Sequence, residues 1–416
     1  MSLRKIRLLI LIVAIGIGCG YAGYLLGQKQ LQLSFRNYRP AVVLNKSPQM
    51  VREVDFNQFW IVWDKLAAEY VDKSALDPKK MVDGAISGMV NSLGDPYTVY
   101  LPKKQNEEAK QDLNGSFEGV GIQLGFKDNR LAVISPLAGT PADLAGVKPG
   151  DLILHIKDEK KKIDQDTDGL TIPEAVNLIR GPKGQPVILT LWRTNQPKPF
   201  DITLVRDTIV VKSASVEFIA DDTIAHLKLN RFGDRTQEEW TEAVSAILTK
   251  IKSTPGFRGI ILDLRNNPGG YLEGSVYLAG EFLQAGKLIV SQQFGDGTKV
   301  DLKVSRNGQL LKTKLVVLVN EGSASAAEIM AGALRDHRRA QIVGAKSFGK
   351  GSVQQPDDFS DGSGIHVTIA KWLRPNGEWI DKVGILPDIE VASDTATDSA
   401  QIVTDPQLEK ATELLK

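Results

Sequence analysis

Two serines and one lysine carry the most reactive chemistry in this chain. Ser323 and Ser325 stand in a run of small residues, Gly322-Ser323-Ala324-Ser325-Ala326-Ala327, between an apolar run at Leu315 to Val319 and a helical pattern from Glu328 to Leu334. A serine in a tight turn between a buried strand and a helix exposes its hydroxyl beside the first N–H groups of the helix, which lack intrahelical acceptors. That arrangement suits a nucleophile and an oxyanion hole. Lys350 lies between Gly349 and Gly351 in a second small-residue loop, Ser347 to Ser352, which follows the short apolar run Gln341 to Gly344. A lysine hemmed in by backbone is short of water, and desolvation lowers its pKa towards that of a general base. The chemistry implied is acyl transfer by a serine–lysine pair, with the choice between Ser323 and Ser325 left open by spacing alone.

Other bases are poorly placed. His337 follows Ser325 along the expected helix at a distance of roughly 18 Å, from a rise of 1.5 Å per residue. His155 falls in a different part of the chain, and His226 and His366 alternate with apolar neighbours in strands, where a structural role is expected. The four histidines show no HExxH or similar metal spacing, and the single cysteine, Cys19, supports neither a disulfide framework nor a zinc cluster. No metal or cofactor is expected. Ser347-Phe348-Gly349-Lys350 satisfies the SxxK spacing of penicillin-recognising enzymes, but there serine and lysine share a helical turn. Glycines on both sides of Lys350 disfavour helix, and neither SDN nor KTG occurs in the chain.

The elements that must position these residues read as α/β. Arg258 to Leu264 is a near-continuous apolar run, the pattern of a strand buried on both faces. Asn266-Asn267-Pro268-Gly269-Gly270 then turns into a helix expected over about Leu272 to Leu283. Ile224 to Leu229, Leu288 to Gln292, Leu315 to Val319 and Gln341 to Gly344 are further strands, and Thr236 with Glu239 predicts a capping box opening the helix that carries Trp240, Val244, Ile247 and Ile251. The alternation implies a mostly parallel sheet with helices packed on it.

Upstream, Phe59, Trp60, Trp63, Leu66, Ala67 and Tyr70, and then Met81, Ala85, Met89 and Leu93, recur at helical spacing, so two or more helices are expected to end near Asp95-Pro96. Residues 28–52 read as a polar tether or early helix. From Gly119-Val120-Gly121-Ile122 the chain runs through alternating strands, a short helix, a Lys-Pro-Gly-Asp turn at 148–151 and a helix at Ile172 to Arg180. The glycine spacing G-x-G-x-x-x-G misses the dinucleotide fingerprint. The order of elements resembles a PDZ domain of the permuted bacterial type. Such a domain adds a peptide C-terminus as a strand while loop N–H groups hold its carboxylate.

Taken together, Gly322 to Glu328, Phe348 to Gln354 and Asp263 to Gly270, with Leu93-Gly94-Asp95-Pro96-Tyr97, Gly115 to Gly121 and Ile179 to Gly184, resemble the carboxyl-terminal processing (tail-specific) proteases over residues from about 55 to 391. The resemblance implies a crotonase/ClpP-like protease core with an inserted PDZ domain. It selects Ser325, 25 residues before Lys350, as the nucleophile. It also implies Lys350 as general base and acid, Gln354 as its orienter, and the N–H groups of Gly270 and Ala326 as oxyanion donors. Gly119, Val120, Gly121 and Ile122 become the carboxylate loop, and Arg180 a residue that could couple the PDZ domain to the active site. One departure is Ala327, where many members carry another serine.

The chain has 416 residues, a formal net charge of +1 and 42% hydrophobic residues, which excludes a charge-driven nucleic-acid binder. Arg4, Lys5 and Arg7 precede an uncharged apolar run from Leu8 to Gly27, about one bilayer span. Residues 1–27 are therefore expected to be a signal anchor or signal peptide, 28–113 a tether and N-terminal helical subdomain, 114–197 the PDZ domain, 198–393 the protease core and 394–416 a tail with a terminal helix at Pro406 to Leu415. The expected function is a serine endopeptidase acting near the C-termini of exported proteins, membrane-anchored or soluble in a periplasm, or in a thylakoid lumen if the source is photosynthetic. The competing reading is a catalytically silent, membrane-tethered PDZ adaptor, which would have no need of Ser325 or Lys350.

Overall fold

The computed structural model describes residues 15–17, 20, 31–36, 39–44, 55–127, 130–137, 139–194, 196–392 and 405–416. The expected signal anchor lies almost wholly outside them. Among the described residues no helix is long and apolar enough to cross a membrane.

The chain divides into residues 1–81 and 82–416. The first unit holds an antiparallel hairpin, β1 (Leu31–Arg36) and β2 (Arg39–Leu44), followed by helix α1 (Asn57–Glu69). The hairpin replaces the tether or helix expected at 28–52. Leu31, Leu33 and Phe35 alternate with polar residues, and period two is the strand signal. Helix α2 (Pro78–Asn91) ends before Asp95-Pro96 as its spacing predicts, and is followed by strand β3 (Val99–Leu101) and a further helix, α3 (Lys103–Leu113). Sequence periodicity missed α3 because its residues, KKQNEEAKQDL, are almost all polar.

Strand β4 (Ser116–Gly119) leads into a sheet built from β5 (Ile122–Lys127), β6 (Arg130–Pro136), β7 (Leu152–Asp158), β8 (Ile163–Asp166), β9 (Pro186–Trp192) and β10 (Phe200–Val205), with helices α4 (Pro141–Leu144) and α5 (Ile172–Ile179). Its order is β10-β9-β7-β6-β5, with β8 on β7, and all pairs are antiparallel. Val120, Leu131, Val133, Ile153, Ile156, Leu189, Leu191 and Leu204 form its core. Because β10 pairs with β9, this sheet continues to Val205, past the boundary expected at residue 197. Strand β11 (Asp207–Val210) then pairs back onto β4, so the chain enters and leaves this sheet through one two-stranded connection.

The remaining residues form two sheets. The first comprises β12 (Ala214–Ile219), β13 (Ile224–Leu229) and, after helix α6 (Thr236–Ser253), β14 (Gly259–Asp263). Helix α7 (Leu272–Ala279) and strands β15 (Leu288–Phe294) and β16 (Lys299–Lys303) intervene before β17 (Leu315–Val319), helix α8 (Ala326–Asp336) and β18 (Gln341–Gly344). Strands β19 (Ser352–Asp358), β20 (Gly364–Leu373) and β21 (Ile389–Glu390) and helix α9 (Pro406–Leu414) complete the chain. The main sheet has the order β12-β13-β14-β17-β18-β21 and is parallel from β13 onward. Every residue of β14 and β17 is buried, as expected of strands covered on both faces. Each Val, Leu or Ile so buried contributes about 1.5–3 kcal/mol. Strand β15, expected in the same sheet, instead joins an antiparallel one of order β16-β15-β20-β19, with β3 on β20.

Helix α8 is buried from Ala326 to Leu334 on all sides. Its alanines and Gly332 let it lie between β15 and β18. The capping box expected at Thr236 and Glu239 does not form. Thr236 is already the first helical residue, and Glu239 instead accepts from the Ser213 and Ala214 N–H groups at 2.5 and 3.2 Å. The helix after Gly270 stops at Ala279 rather than Leu283.

Candidate active site

Three loops leave the C-terminal ends of the adjacent parallel strands β14, β17 and β18, the position at which open α/β sheets bind ligands. The β17 loop separates the two serines. Ser323 is fully buried, its Oγ donating to the Leu264 carbonyl at 2.8 Å and accepting from the Asn320 N–H at 3.0 Å. Its hydroxyl is consumed in holding the β17 loop to the β14 loop. Ser325 is half-buried and caps α8 with φ 53° and ψ −116°, a conformation that L-residues avoid. Such strain is kept where a surrounding structure dictates it, and it turns this side chain out of the helix into an adjoining cavity.

The β14 loop is pressed against this turn. A Cβ on Gly269 would come within 2.8 Å of the Ala324 carbonyl oxygen and Ser325 Cβ, and within 3.0 Å of Ala326 N. Gly270 has φ +132°, open only to glycine, and a Cβ there would meet the Phe232 carbonyl oxygen at 2.0 Å. Asn267 is buried, its Nδ2 donating to the Leu229 carbonyl at 2.8 Å, while its own carbonyl accepts from Ala324 N–H at 2.9 Å. Asn320 Oδ1 accepts from Asn266 N–H at 2.8 Å and its Nδ2 donates to Asn266 Oδ1 at 2.9 Å. Phe232 N–H donates to the Gly269 carbonyl and Tyr271 N–H to the Phe232 carbonyl, both at 2.8 Å. Between them, among the described residues, the Gly270 N–H meets no backbone acceptor, and neither does that of Ala326, the first residue of α8. Two N–H groups without acceptors at adjoining turns, one of them next to Ser325, fit a developing oxyanion.

The β18 loop brings Lys350. Burial lowers the pKa of its ammonium from the usual lysine value, while Asp95 and Glu328 pull the other way. The glycines around it are sterically required: a Cβ on Gly349 would lie 3.0 Å from Gly384 N, and one on Gly351 would lie 2.5 Å from Trp379 Nε1. Trp372 Nε1 donates to the Lys350 carbonyl at 2.7 Å. The Lys350 ammonium stands 4.9 Å from the centre of the Tyr97 ring.

The residue that joins these loops is Glu328, one turn into α8 and fully buried. Its Oε2 accepts from Ser325 N–H at 2.9 Å and Lys350 N–H at 3.0 Å. Its Oε1 accepts from Ser347 Oγ at 2.5 Å and Gly349 N–H at 2.7 Å. Burial raises its pKa, and these four hydrogen bonds oppose the rise. Sequence reading assigned Glu328 no role. The S-x-x-E spacing from Ser325 is a helix-start signal that could have drawn attention to it.

Ser325, Lys350, Gln354 and Gly270 line one cavity of about 520 Å³, together with His366, Trp372 and Tyr271. Among the described residues no direct hydrogen bond joins Ser325 Oγ to Lys350 Nζ, so the two face a common space. Gln354 spends its amide nitrogen on Ser352 Oγ at 2.9 Å and Thr368 Oγ1 at 3.1 Å, leaving its carbonyl oxygen as the end able to receive a lysine proton. His366, read as structural, instead lies in the cavity wall, and burial, then the Lys350 charge, hold its pKa below the usual histidine value. The other histidines are bound elsewhere: His155 to Asp164 at 3.0 Å, His226 to Asp263 at 3.0 Å and His337 to the Leu288 carbonyl at 2.7 Å. Among the described residues no cluster of His, Cys, Asp or Glu could hold a metal ion.

The residues expected to bind peptide do not line this cavity. Gly119 ends β4, Ile122 opens β5, and Val120 and Gly121 connect them. The carbonyls of this connection are used internally: that of Val120 accepts from Ala142 N–H, and that of Gly121 from Leu137 N–H, both at 2.9 Å. Among the described residues the N–H groups of Val120 and Gly121 have no backbone acceptor, the polarity a terminal carboxylate requires. Arg180, just after α5, lays its guanidinium over the Phe117 ring of β4 at 4.3 Å. It therefore touches the connection between the two regions and not the Ser325 cavity.

Family profiles match three parts of the chain: peptidase family S41 at residues 223–391, a PDZ domain at 133–193, and an activating-protease CtpB N-terminal domain at 13–105. The carboxy-terminal processing protease CtpA of Bacillus subtilis is 37% identical over 348 residues, which are 84% of this chain and 71% of that protein. The carboxy-terminal-processing protease of Bartonella bacilliformis is 38% identical, over 80% of this chain and 74% of its own. CtpA-like serine proteases of staphylococci are longer, and the chain spans 63–66% of their length. Among solved structures, an S41 protease of Bacteroides fragilis superimposes with a TM-score of 0.55 at 16% identity, over 84% of this chain and 93% of that one, a likeness of fold.

Proposed function

The chain belongs to peptidase family S41, among the carboxy-terminal processing proteases, and on that premise we propose that it is a serine endopeptidase that cleaves near the C-termini of proteins through Ser325 and Lys350. The observation that carries this reading is the single cavity lined by Ser325, Lys350, Gln354 and Gly270, with N–H groups at Gly270 and Ala326 that have no backbone acceptor among the described residues.

In the proposed reaction neutral Lys350 Nζ takes the Ser325 Oγ proton as Oγ attacks the scissile carbonyl carbon. The carbonyl oxygen becomes an oxyanion held by the Gly270 and Ala326 N–H groups. As the C–N bond breaks, the Lys350 ammonium returns its proton to the leaving amine. Water, deprotonated by the same lysine, then releases the acyl group and regenerates Ser325. The Gln354 carbonyl oxygen accepts from the ammonium and fixes its direction, the service that a carboxylate gives histidine in the common triad.

The N–H groups at Val120 and Gly121 would hold the substrate's terminal carboxylate. The basic flank and apolar run of residues 4–27 support action on exported proteins beyond a membrane. The test is cleavage of a protein with an apolar C-terminal tail by the full chain, beside Ser325→Ala, Lys350→Ala and Ser323→Ala. Cleavage lost in the first two and kept in the third is expected. Cleavage surviving in Ser325→Ala sinks the assignment, and tail binding without cleavage by the wild type returns the adaptor reading.

A further inference from the structure

The turn from Asp95 to Thr98 has no part in the reaction just described, yet it touches Lys350 and packs on Thr368, a partner of Gln354. It lies between α2 and β3 and is folded on the Asp95 carboxylate, which accepts from Tyr97 N–H at 3.1 Å and from Thr98 Oγ1 at 2.6 Å. Thr98 is buried and its Oγ1 accepts from the Thr368 N–H at 3.1 Å, which seats the turn on β20. From that seat the Tyr97 ring faces the Lys350 ammonium at 4.9 Å. The Thr368 hydroxyl accepts from Gln354 Nε2 at 3.1 Å, and hydrogen bonding by the same side chain helps hold the Asp95 carboxyl below its usual range.

The direction of that last relay follows from chemistry. An ionised carboxylate only accepts hydrogen bonds, and a threonine hydroxyl has one proton to give. Once Thr368 gives its proton to Asp95, it can only accept from its other neighbour. Gln354 must then turn its NH2 towards Thr368, and its carbonyl oxygen is left for the lysine. Burial works against the Asp95 charge, but hydrogen bonds from Thr368, Thr98 and Tyr97 outweigh it and keep the carboxylate ionised.

We propose that the Asp95–Thr98 turn is a positioning element for the general base: the Tyr97 ring walls Lys350 off from water, and Asp95, acting through Thr368, sets which end of the Gln354 amide faces the lysine. The proposal rests on Lys350 being the base. The groups that act on the Lys350 charge are Asp95 from this turn, Glu328 from α8 and His366 from β20, with the neutral Tyr97 phenol over its face. The two carboxylates favour the ammonium, and burial opposes it.

These signs make opposite predictions for two substitutions. Tyr97→Ala lets water reach Lys350. Hydration outweighs the lost ring contact, so the ammonium is favoured and neutral base is scarcer. The acidic limb of kcat/KM against pH then moves up, by about one unit, with a loss of about tenfold near neutral pH. Asp95→Asn removes a charge that favours the ammonium, so the limb moves down. It also frees the Thr368 hydroxyl to turn, so kcat on the plateau falls about tenfold while KM holds. Tyr97→Phe keeps the ring face and should keep the wild-type position of the limb.

The experiment is the pH profile of tail cleavage by the full chain and these three variants, with Lys350→Ala as reference and thermal melting of each. Opposite limb shifts, with Tyr97→Phe at the wild-type position, support the proposal. Limbs unmoved in Tyr97→Ala and Asp95→Asn, or Tyr97→Phe shifting as far as Tyr97→Ala, overturn it. Cleavage retained by Lys350→Ala overturns instead the assignment of the base, and so separates the two failures.

Discussion

Replacing Glu328 by glutamine tests whether the loops of Ser325 and Lys350, the proposed nucleophile and base, are held together by one carboxylate. The change is nearly isosteric, so it opens no cavity. Its effect lies in the hydrogen bonds. Each carboxylate oxygen serves two donors, Ser347 Oγ and Gly349 N–H on one side and Ser325 N–H and Lys350 N–H on the other. Turned towards Lys350, the new NH2 meets two backbone N–H groups; turned towards Ser347, it meets the Gly349 N–H and a hydroxyl that can rotate to accept from it, so one or two N–H donors lose their acceptor. A buried polar group left without its partner costs about 1–3 kcal/mol, so one or two of them cost about 1–6 kcal/mol. Against a total stability of about 5–15 kcal/mol for a folded domain this is large. At about 2 °C per kcal/mol for a protein of this size, the melting temperature falls by about 2–12 °C. Activity falls further than stability, because the loop that carries Lys350 loses a tie in either orientation. Calorimetry of Glu328→Gln with kcat for a tailed substrate measured well below the transition is the assay. A variant that melts within a degree of wild type and keeps its kcat would refute the reasoning.

Three further substitutions probe the rest of the site. Ser323→Ala strips the buried Asn320 N–H and Leu264 carbonyl of their partner at 3.0 and 2.8 Å, so melting falls by several degrees, while kcat at 25 °C stays within a few-fold of wild type. A collapse of kcat in a folded Ser323→Ala protein would return that serine to the chemistry. Gly270→Ala puts a Cβ 2.0 Å from the Phe232 carbonyl oxygen, so the loop must shift and one proposed oxyanion donor is displaced. The expected loss is about 10²–10³-fold in kcat with KM little changed, and retained kcat removes Gly270 from the oxyanion hole. Gly121→Ala brings a Cβ within 2.3 Å of Thr140 and displaces the proposed carboxylate loop. KM should rise for a substrate with a free C-terminus and not for its C-terminally amidated counterpart, and equal effects on both would deny carboxylate recognition there.

Periodicity and small-residue motifs carried much of the fold. The runs at Arg258 to Leu264 and Leu315 to Val319 are apolar because β14 and β17 are buried on both faces, and burial on both faces can be read one residue at a time. The glycines beside Lys350 and at Gly269-Gly270 were legible for a similar reason, since backbone approach leaves no room for a Cβ. Helix α3 was not legible, because a helix of almost wholly polar residues leaves no apolar stripe. Nor was the sheet to which β15 belongs, since its own residues look the same whether the neighbour is parallel or antiparallel.

The candidate site divides along the same line. By itself the sequence determined the residue types, namely a serine at a strand-to-helix turn, a lysine between glycines and a glutamine four residues on. A family resemblance then chose Ser325 over Ser323. Only the tertiary structure decided that Ser323 is spent on Leu264 and Asn320, that Glu328 ties the two loops, that His366 stands in the cavity wall, and that Tyr97 covers a lysine 253 residues further along the chain. The physical reason is that side-chain periodicity reports whether a position is buried, whereas the strand order β14-β17-β18 decides which loops meet. Hydrogen bonds between those loops exist only once that order is formed.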